Sequence, residues 1–305
     1  MEIENIVNAD RKELFKIFYE IEKLKEKYGK NEIKTCSIIN AKSGKCSENC
    51  AFCAQSSYHN TDIDIFSLKK AEEIFEFARK LDGKAQRFSI VTSGKGIKSN
   101  KEKKEILKAI ELIREKTSLD CCVSIGIIDK NFLQDLKIAG VTGFHHNLET
   151  SRSFFKNICT THDYEEDIKM VEVAKEMGFY TCSCGIFGLG ESWEHRLELA
   201  ETLKKLDVDS LPLNFLTPIK GTPLENQKKL TPFECLKIIA FFRINFPDKD
   251  IRICGGREFN LRQLQPLIFS AGANGIMIGN YLTTKGRNIE DDFEMIRDLS
   301  YEFNI

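Results

Sequence analysis

A chain of 305 residues with 45 basic and 46 acidic side chains carries a net charge of −1, and without a basic excess or a basic run it lacks the footprint of a nucleic-acid binder. Its 42% hydrophobic and 30% charged residues are soluble-protein composition with material for a large core. The acidic start Met1-Glu2-Ile3-Glu4 has neither the basic nor the apolar region of a signal peptide, and no apolar run reaches the ~18 residues a membrane span needs.

From Asn8 to Tyr28, apolar side chains recur at helical spacing (Leu14, Ile17, Phe18, Ile21, Leu24) and stop at Gly29. Short β-rich runs then alternate with amphipathic helices. Strands are read at 34–40, 86–91, 120–127, 142–147, 179–187, 211–216, 250–254 and 275–278. Between them, Ser67 caps a helix over 68–82, Asp129 caps 130–139, a further helix ends at Gly178, Ser192 opens 193–206 and Thr231-Pro232 opens 233–245. Helices over 101–116, 260–271 and 289–301 complete the set. Strict alternation of strand and helix predicts a parallel sheet, and eight such units predict an α/β fold of the (βα)8 barrel type with an N-terminal helix. With no Pro-, Gly- or Ser-rich linker, 1–305 reads as one domain: an N-terminal helical segment over 1–33, the barrel over 34–285 and a C-terminal helix over 286–305. Chemistry in such barrels sits at the C-terminal ends of the strands.

The loop after the first strand holds Cys46-Ser47-Glu48-Asn49-Cys50-Ala51-Phe52-Cys53. Three thiolates this close can hold one metal centre without long loop closure. Four would saturate a tetrahedral zinc or a cubane-type cluster; three leave one metal position open for a substrate or cofactor. Eleven cysteines, an odd number, in a chain without a secretion signal predict a reducing cytoplasm rather than a disulfide framework.

The three-cysteine loop at a barrel mouth resembles that of the radical S-adenosylmethionine enzymes. Further stretches resemble the biotin synthase family: Asn40-Ala41-Lys42-Ser43-Gly44, Gln55-Ser56-Ser57, His146-Asn147-Leu148-Glu149-Thr150, Gly185-Ile186-Phe187-Gly188-Leu189-Gly190-Glu191, Pro212-Leu213-Asn214-Phe215, Pro218-Ile219-Lys220-Gly221-Thr222-Pro223 and Gly255-Gly256-Arg257-Glu258. The matches run in consistent order from about residue 34 to 285. The resemblance implies sulfur insertion into dethiobiotin between its methyl and methylene carbons. It implies a [4Fe–4S] cluster on Cys46, Cys50 and Cys53 that reduces S-adenosylmethionine to a 5′-deoxyadenosyl radical, and a second cluster that gives up a sulfide. The cofactors carry the chemistry and the protein positions and seals. Phe52, Gly185 and Ile186 resemble the adenine side of the S-adenosylmethionine site, and Glu149 stands where the family has a ribose-binding Asp. Asn147 and Asn214 match the asparagines that hold the cyclic urea of dethiobiotin; amides both donate and accept. His145 stands where many members carry Asn. A flavodoxin- or ferredoxin-type electron donor and a homodimer are the family's expectations.

The second cluster is where the chain departs. The usual [2Fe–2S] site has three cysteines and an arginine; Cys122, Cys182 and Arg252 match, but the third cysteine falls on Ser89 in Arg87-Phe88-Ser89-Ile90. Strand side chains alternate faces, so if Cys182 points into the barrel Cys184 should too, and if Arg252 does, so should Cys254. Cys36, in the first strand, also replaces a small polar residue. Four or so of Cys36, Cys122, Cys182, Cys184 and Cys254 are expected to hold a larger, all-cysteine, four-iron cluster. Cys121 should face outward, and Cys159 and Cys235 receive no role. The alternative function is a related barrel enzyme acting on another small substrate, which Ser89 and His145 keep open. A non-catalytic iron–sulfur or zinc sensor is more remote, since it has no use for the glycine and asparagine set.

Overall fold

A computed structural model describes residues 3–301. The helix Arg11–Lys27 begins three residues later than the periodicity predicts, because Asp10 caps it. The Glu13 N–H donates to Asp10 Oδ1, and the Asp10 N–H to Glu13 Oε2, both at 2.8 Å. Its buried stripe of Leu14, Ile17, Phe18 and Ile21 packs on the helix Pro232–Asn245, the apolar-face burial that makes such a helix stable.

The strands are β1 Lys34–Lys42, β2 Arg87–Thr92, β3 Asp120–Ser124, β4 Gly143–His145, β5 Tyr180–Cys182, β6 Gly185–Phe187, β7 Ser210–Phe215, β8 Asp250–Ile253 and β9 Gly275–Met277. All pair in parallel, in the order β5-β4-β3-β2-β1-β9-β8-β7-β6. The strand predicted over 179–187 is two strands, β5 and β6, broken at Ser183-Cys184. Both halves pair with β7, through Cys182 opposite Ser210 and Gly185 opposite Leu213. That double pairing closes the sheet into a parallel barrel of eight staves.

Two predicted helices differ for local reasons. The helix predicted at 68–82 is confined to Ala71–Arg79, because the chain before it is bound to the end of β1. Ser43 and Phe66 exchange backbone hydrogen bonds at 3.1 and 3.2 Å, and the Lys69 N–H donates to the Ala41 carbonyl at 2.9 Å. The helix predicted at 260–271 is broken into Arg257–Leu261, a 3₁₀ turn over Arg262–Leu264, and Leu267–Ser270. Arg262 adopts φ +53°, and Pro266 supplies no N–H to continue a helix. The last helix, Ile289–Asp298, is capped by Asn288. Among the described residues no helix is long and apolar enough to cross a membrane.

Candidate active site

The loop after β1 presents its thiols from a backbone that is fully tied down. The Cys46 N–H donates to the Gln55 carbonyl (3.0 Å), the Ser57 N–H to the Cys46 carbonyl (2.8 Å) and the Cys53 N–H to the Cys50 carbonyl (2.9 Å). Ser93 Oγ donates to the Gly44 carbonyl at 2.8 Å, and Ser56 Oγ to the Glu48 carbonyl at 2.6 Å. Cys46, Cys50 and Cys53 are free, half-buried thiols that line one cleft with Gln55, Lys95 and Glu149. Burial pushes Cys53 up to about 11; a hydrogen bond to Cys159, followed by burial, pushes Cys50 up. These two thiols stay protonated until a cation displaces the protons, and three cysteines on one short loop suit a metal centre with an open position.

The cleft continues into a second lobe through Phe52, Gln55, His145, Asn147 and Glu149. The lobes enclose about 230 and 290 Å³ and join along that shared wall. Asn147 Oδ1 accepts from the Cys184 N–H at 3.2 Å, its Nδ2 donates to Glu149 Oε2 at 3.4 Å, and His145 Nε2 lies 3.3 Å from Oδ1. Asn214, on β7, accepts from the Gly255 N–H at 2.9 Å and donates to the Pro212 carbonyl at 3.2 Å. Burial holds His145 down to about 4, so its imidazole is neutral. Burial, with the Asp167 charge adding to it, raises the Glu149 carboxyl to about 8. Glu149 sits at φ +64°, a conformation that costs an L-residue energy. Its carbonyl accepts from the Ile186 N–H at 2.9 Å, and a Cβ on Gly185 would come within 2.4 Å of that carbonyl oxygen. Gly185 is therefore required by the approach of Glu149. Phe52 and Ile186 share a small apolar patch with Ile158, Leu189 and Leu216 beside the cleft.

Below the second lobe, and sharing Ile38, His145, Cys254 and Met277 with it, lies a cavity inside the barrel. Cys36, Cys122, Cys182, Cys254, Arg252 and Ser89 line it. Cys184 does not join them: it is fully buried in the surrounding apolar core. The break between β5 and β6 interrupts the alternation that would have turned it inward, which corrects the expectation. Cys36 and Cys254 are within hydrogen-bonding reach; that bond, with Arg252 nearby, brings Cys36 down to about 6. Burial raises Cys182 to about 12, against the pull of Arg252. Arg252 Nε donates to Ser210 Oγ at 3.3 Å, while Arg252 Nη1 and Ser89 Oγ have no protein partner although both are buried. Orphaned donors beside four thiols fit an anionic, sulfur-rich group.

Sequence reasoning missed Arg87 and Tyr180. Arg87 Nη1 lies 3.6 Å from Cys122 Sγ, its Nη2 is 3.2 Å from Asp120, and the guanidinium stacks on the Tyr180 ring at 4.2 Å. Alternation from Ser89 on β2 would have found Arg87. It also missed a polar chain at the edge of the first lobe. His162 Nδ1 is 2.8 Å from Glu48 Oε2 and 3.3 Å from Cys159 Sγ, and its Nε2 is 3.2 Å from Asp167 Oδ2. Asp167 Oδ1 in turn meets His146 Nε2 at 2.8 Å. Burial opposes the charge on His162, but hydrogen bonds to Asp167 and Cys159 outweigh it and hold the ring up to about 11. No local pattern signals the chain, whose Glu48–His162 link joins residues 114 positions apart.

A parallel barrel with three free thiols on the loop after its first strand defines a radical S-adenosylmethionine protein, and residues 41–203 match the Radical SAM superfamily. Residues 212–302 match the Biotin and Thiamin Synthesis associated domain. A biotin synthase from Geobacter metallireducens is 54% identical over 286 residues, covering 93% of this chain and 87% of its own. One from Geotalea daltonii is 51% identical over 296 residues, covering 97% and 90%. The chain belongs to the biotin synthase family. Methylornithine synthase superposes with a TM-score of 0.85 at 18% identity, over 98% of this chain and 92% of its own, a likeness of fold alone.

Proposed function

We propose that this chain inserts sulfur between the methyl and methylene carbons of dethiobiotin, with S-adenosylmethionine bound beside Cys46, Cys50 and Cys53. When bound, the [4Fe–4S] cluster and S-adenosylmethionine supply a hydrogen-abstracting radical, and a second cluster supplies the sulfur. The observation that carries the reading is the arrangement of the chambers: the thiol loop opens into a lobe walled by Asn147, Glu149 and Asn214, and that lobe shares His145 and Cys254 with the lower cavity. The Asn214 oxygen accepts one backbone N–H and keeps a second lone pair for an N–H of the cyclic urea, while Asn147 Oδ1 meets the Cys184 N–H and His145 Nε2 and offers its amide beside that ring. Neutral His145 adds no charge beside that ring. The protonated Glu149 both donates and accepts, as ribose hydroxyls require. Phe52 and Ile186 give the adenine an apolar wall.

For the lower cavity the reading is an all-cysteine, four-iron cluster on Cys36, Cys122, Cys182 and Cys254, with Arg252 and Ser89 donating hydrogen bonds to it, in place of the two-iron type of the usual family. Four thiols around paired arginines support it. A flavodoxin- or ferredoxin-type donor, a homodimer and a cytoplasmic setting belong to the same reading. Iron and sulfide counts with Mössbauer spectra on anaerobically reconstituted protein, joined to dethiobiotin conversion read by mass spectrometry, test it. Two irons in the lower cavity would refute the four-iron assignment. Failure to convert dethiobiotin with both clusters intact would favour another small substrate.

A further inference from the structure

Cys159 lines the cleft beside the three-thiol loop, yet the reading above gives it no work. It lies between the helices Arg152–Phe155 and Tyr164–Glu176, on a loop laid against the thiol loop. The Ala51 N–H donates to the Ile158 carbonyl at 2.8 Å. Asn49 Oδ1 accepts from the Thr160 N–H at 2.9 Å, and the Asn49 N–H donates to Thr161 Oγ1 at 3.1 Å. These bonds bracket positions 50 and 159 on both sides, and the two cysteines line the same cleft. His162 is turned toward the Cys159 sulfur and fixed there by Glu48 and Asp167.

We infer that Cys50 and Cys159 form a reversible disulfide in the chain before its cluster is loaded. The oxidant is a low-molecular-weight disulfide such as oxidised glutathione. The Cys159 sulfur attacks it, one glutathione leaves as thiol, and a mixed disulfide remains on Cys159; Cys50 then attacks the Cys159 sulfur and expels the second glutathione. Two protein thiols are oxidised, one small disulfide is reduced to two thiols, and the cysteine protons leave with them. The bond withdraws one thiol of the three and keeps it from irreversible oxidation, so loading would wait for a reductant; this consequence rests on the assignment of the triad as cluster ligands.

The test uses the full-length protein, stripped of iron anaerobically, treated with oxidised glutathione, alkylated and mapped by peptide mass spectrometry. A cross-linked pair of peptides carrying Cys50 and Cys159, at least tenfold more abundant than any pair joining Cys50 to Cys46 or Cys53, is expected, and His162→Gln should slow its formation several-fold. Iron uptake by the oxidised protein should recover only after dithiothreitol. The idea fails if Cys50 pairs instead within its own loop, or if Cys159 stays alkylatable or keeps its glutathione. Iron content of the untreated, reduced protein reports separately on the triad, so the two assignments can fail independently.

Discussion

Replacing Glu149 by Gln removes a titration that the fold pays to shift. The carboxyl ionises near the ordinary 4.5 in the unfolded chain and at about 8 in the fold, because it is buried and stands near the Asp167 charge. Between those values the folded state holds a proton that the unfolded state has released, so stability falls as pH rises through the window. A carboxyl held at about 8 rather than 4.5 corresponds to ~5 kcal/mol. Glu149 faces the cleft and is only half-buried, so solvent screening leaves roughly half of that, ~2 kcal/mol. Gln keeps the shape and the hydrogen bond from Asn147 but cannot ionise. Urea unfolding midpoints of the reduced, iron-free protein should coincide for wild type and Glu149→Gln at pH 4 and below. They should diverge as pH rises from 4.5 towards 8 and leave the variant about 2 kcal/mol more stable by pH 9. Parallel pH profiles would refute the argument.

Cys184→Ala should leave iron and sulfide content unchanged, whereas Cys36→Ala and Cys254→Ala should each lower iron at the inner site, read by metal analysis and Mössbauer spectra. Asp292→Asn strips Arg257 of a fully buried partner at 2.8 and 3.0 Å. It should cost ~3–5 kcal/mol in denaturant titration, and Arg257→Met with Asp292→Leu should recover most of it. Gly185→Ala must push the Glu149 carbonyl aside from 2.4 Å; it should lose ~1–3 kcal/mol of stability and weaken S-adenosylmethionine binding measured by calorimetric titration.

What could be read from the chain depended on how local each signal was. The three-cysteine loop is written in eight consecutive residues, and the barrel in the alternation of strand and helix periods. Both are present as expected. Alternation also placed Arg252 and Cys254 on one cavity. It failed at Cys184, because a break in a strand leaves no mark in apolar pattern: Ser183 and Cys184 fit a continuous strand as well as an interrupted one. The Glu48–His162–Asp167 chain was illegible for a different reason. Glu48 sits on the thiol loop, His162 and Asp167 on a loop and helix more than a hundred residues later, and only the folded barrel brings them together. The short helix at Ala71–Arg79 was likewise overridden by the pairing of Ser43 with Phe66, a tertiary contact that capping signals cannot anticipate.

The thiol loop hangs from three separate walls: Phe66 and Lys69 hold the end of β1, Ser93 holds Gly44, and residues 158–161 hold Asn49 and Ala51. None of those bonds involves a metal. An engineer who moved residues 46–53 alone into another barrel would therefore carry over the ligands but not their spacing, and would recover a floppy peptide with weak iron affinity. The smallest portable unit is the loop together with its three supports, which come from stretches spread over more than a hundred residues of chain.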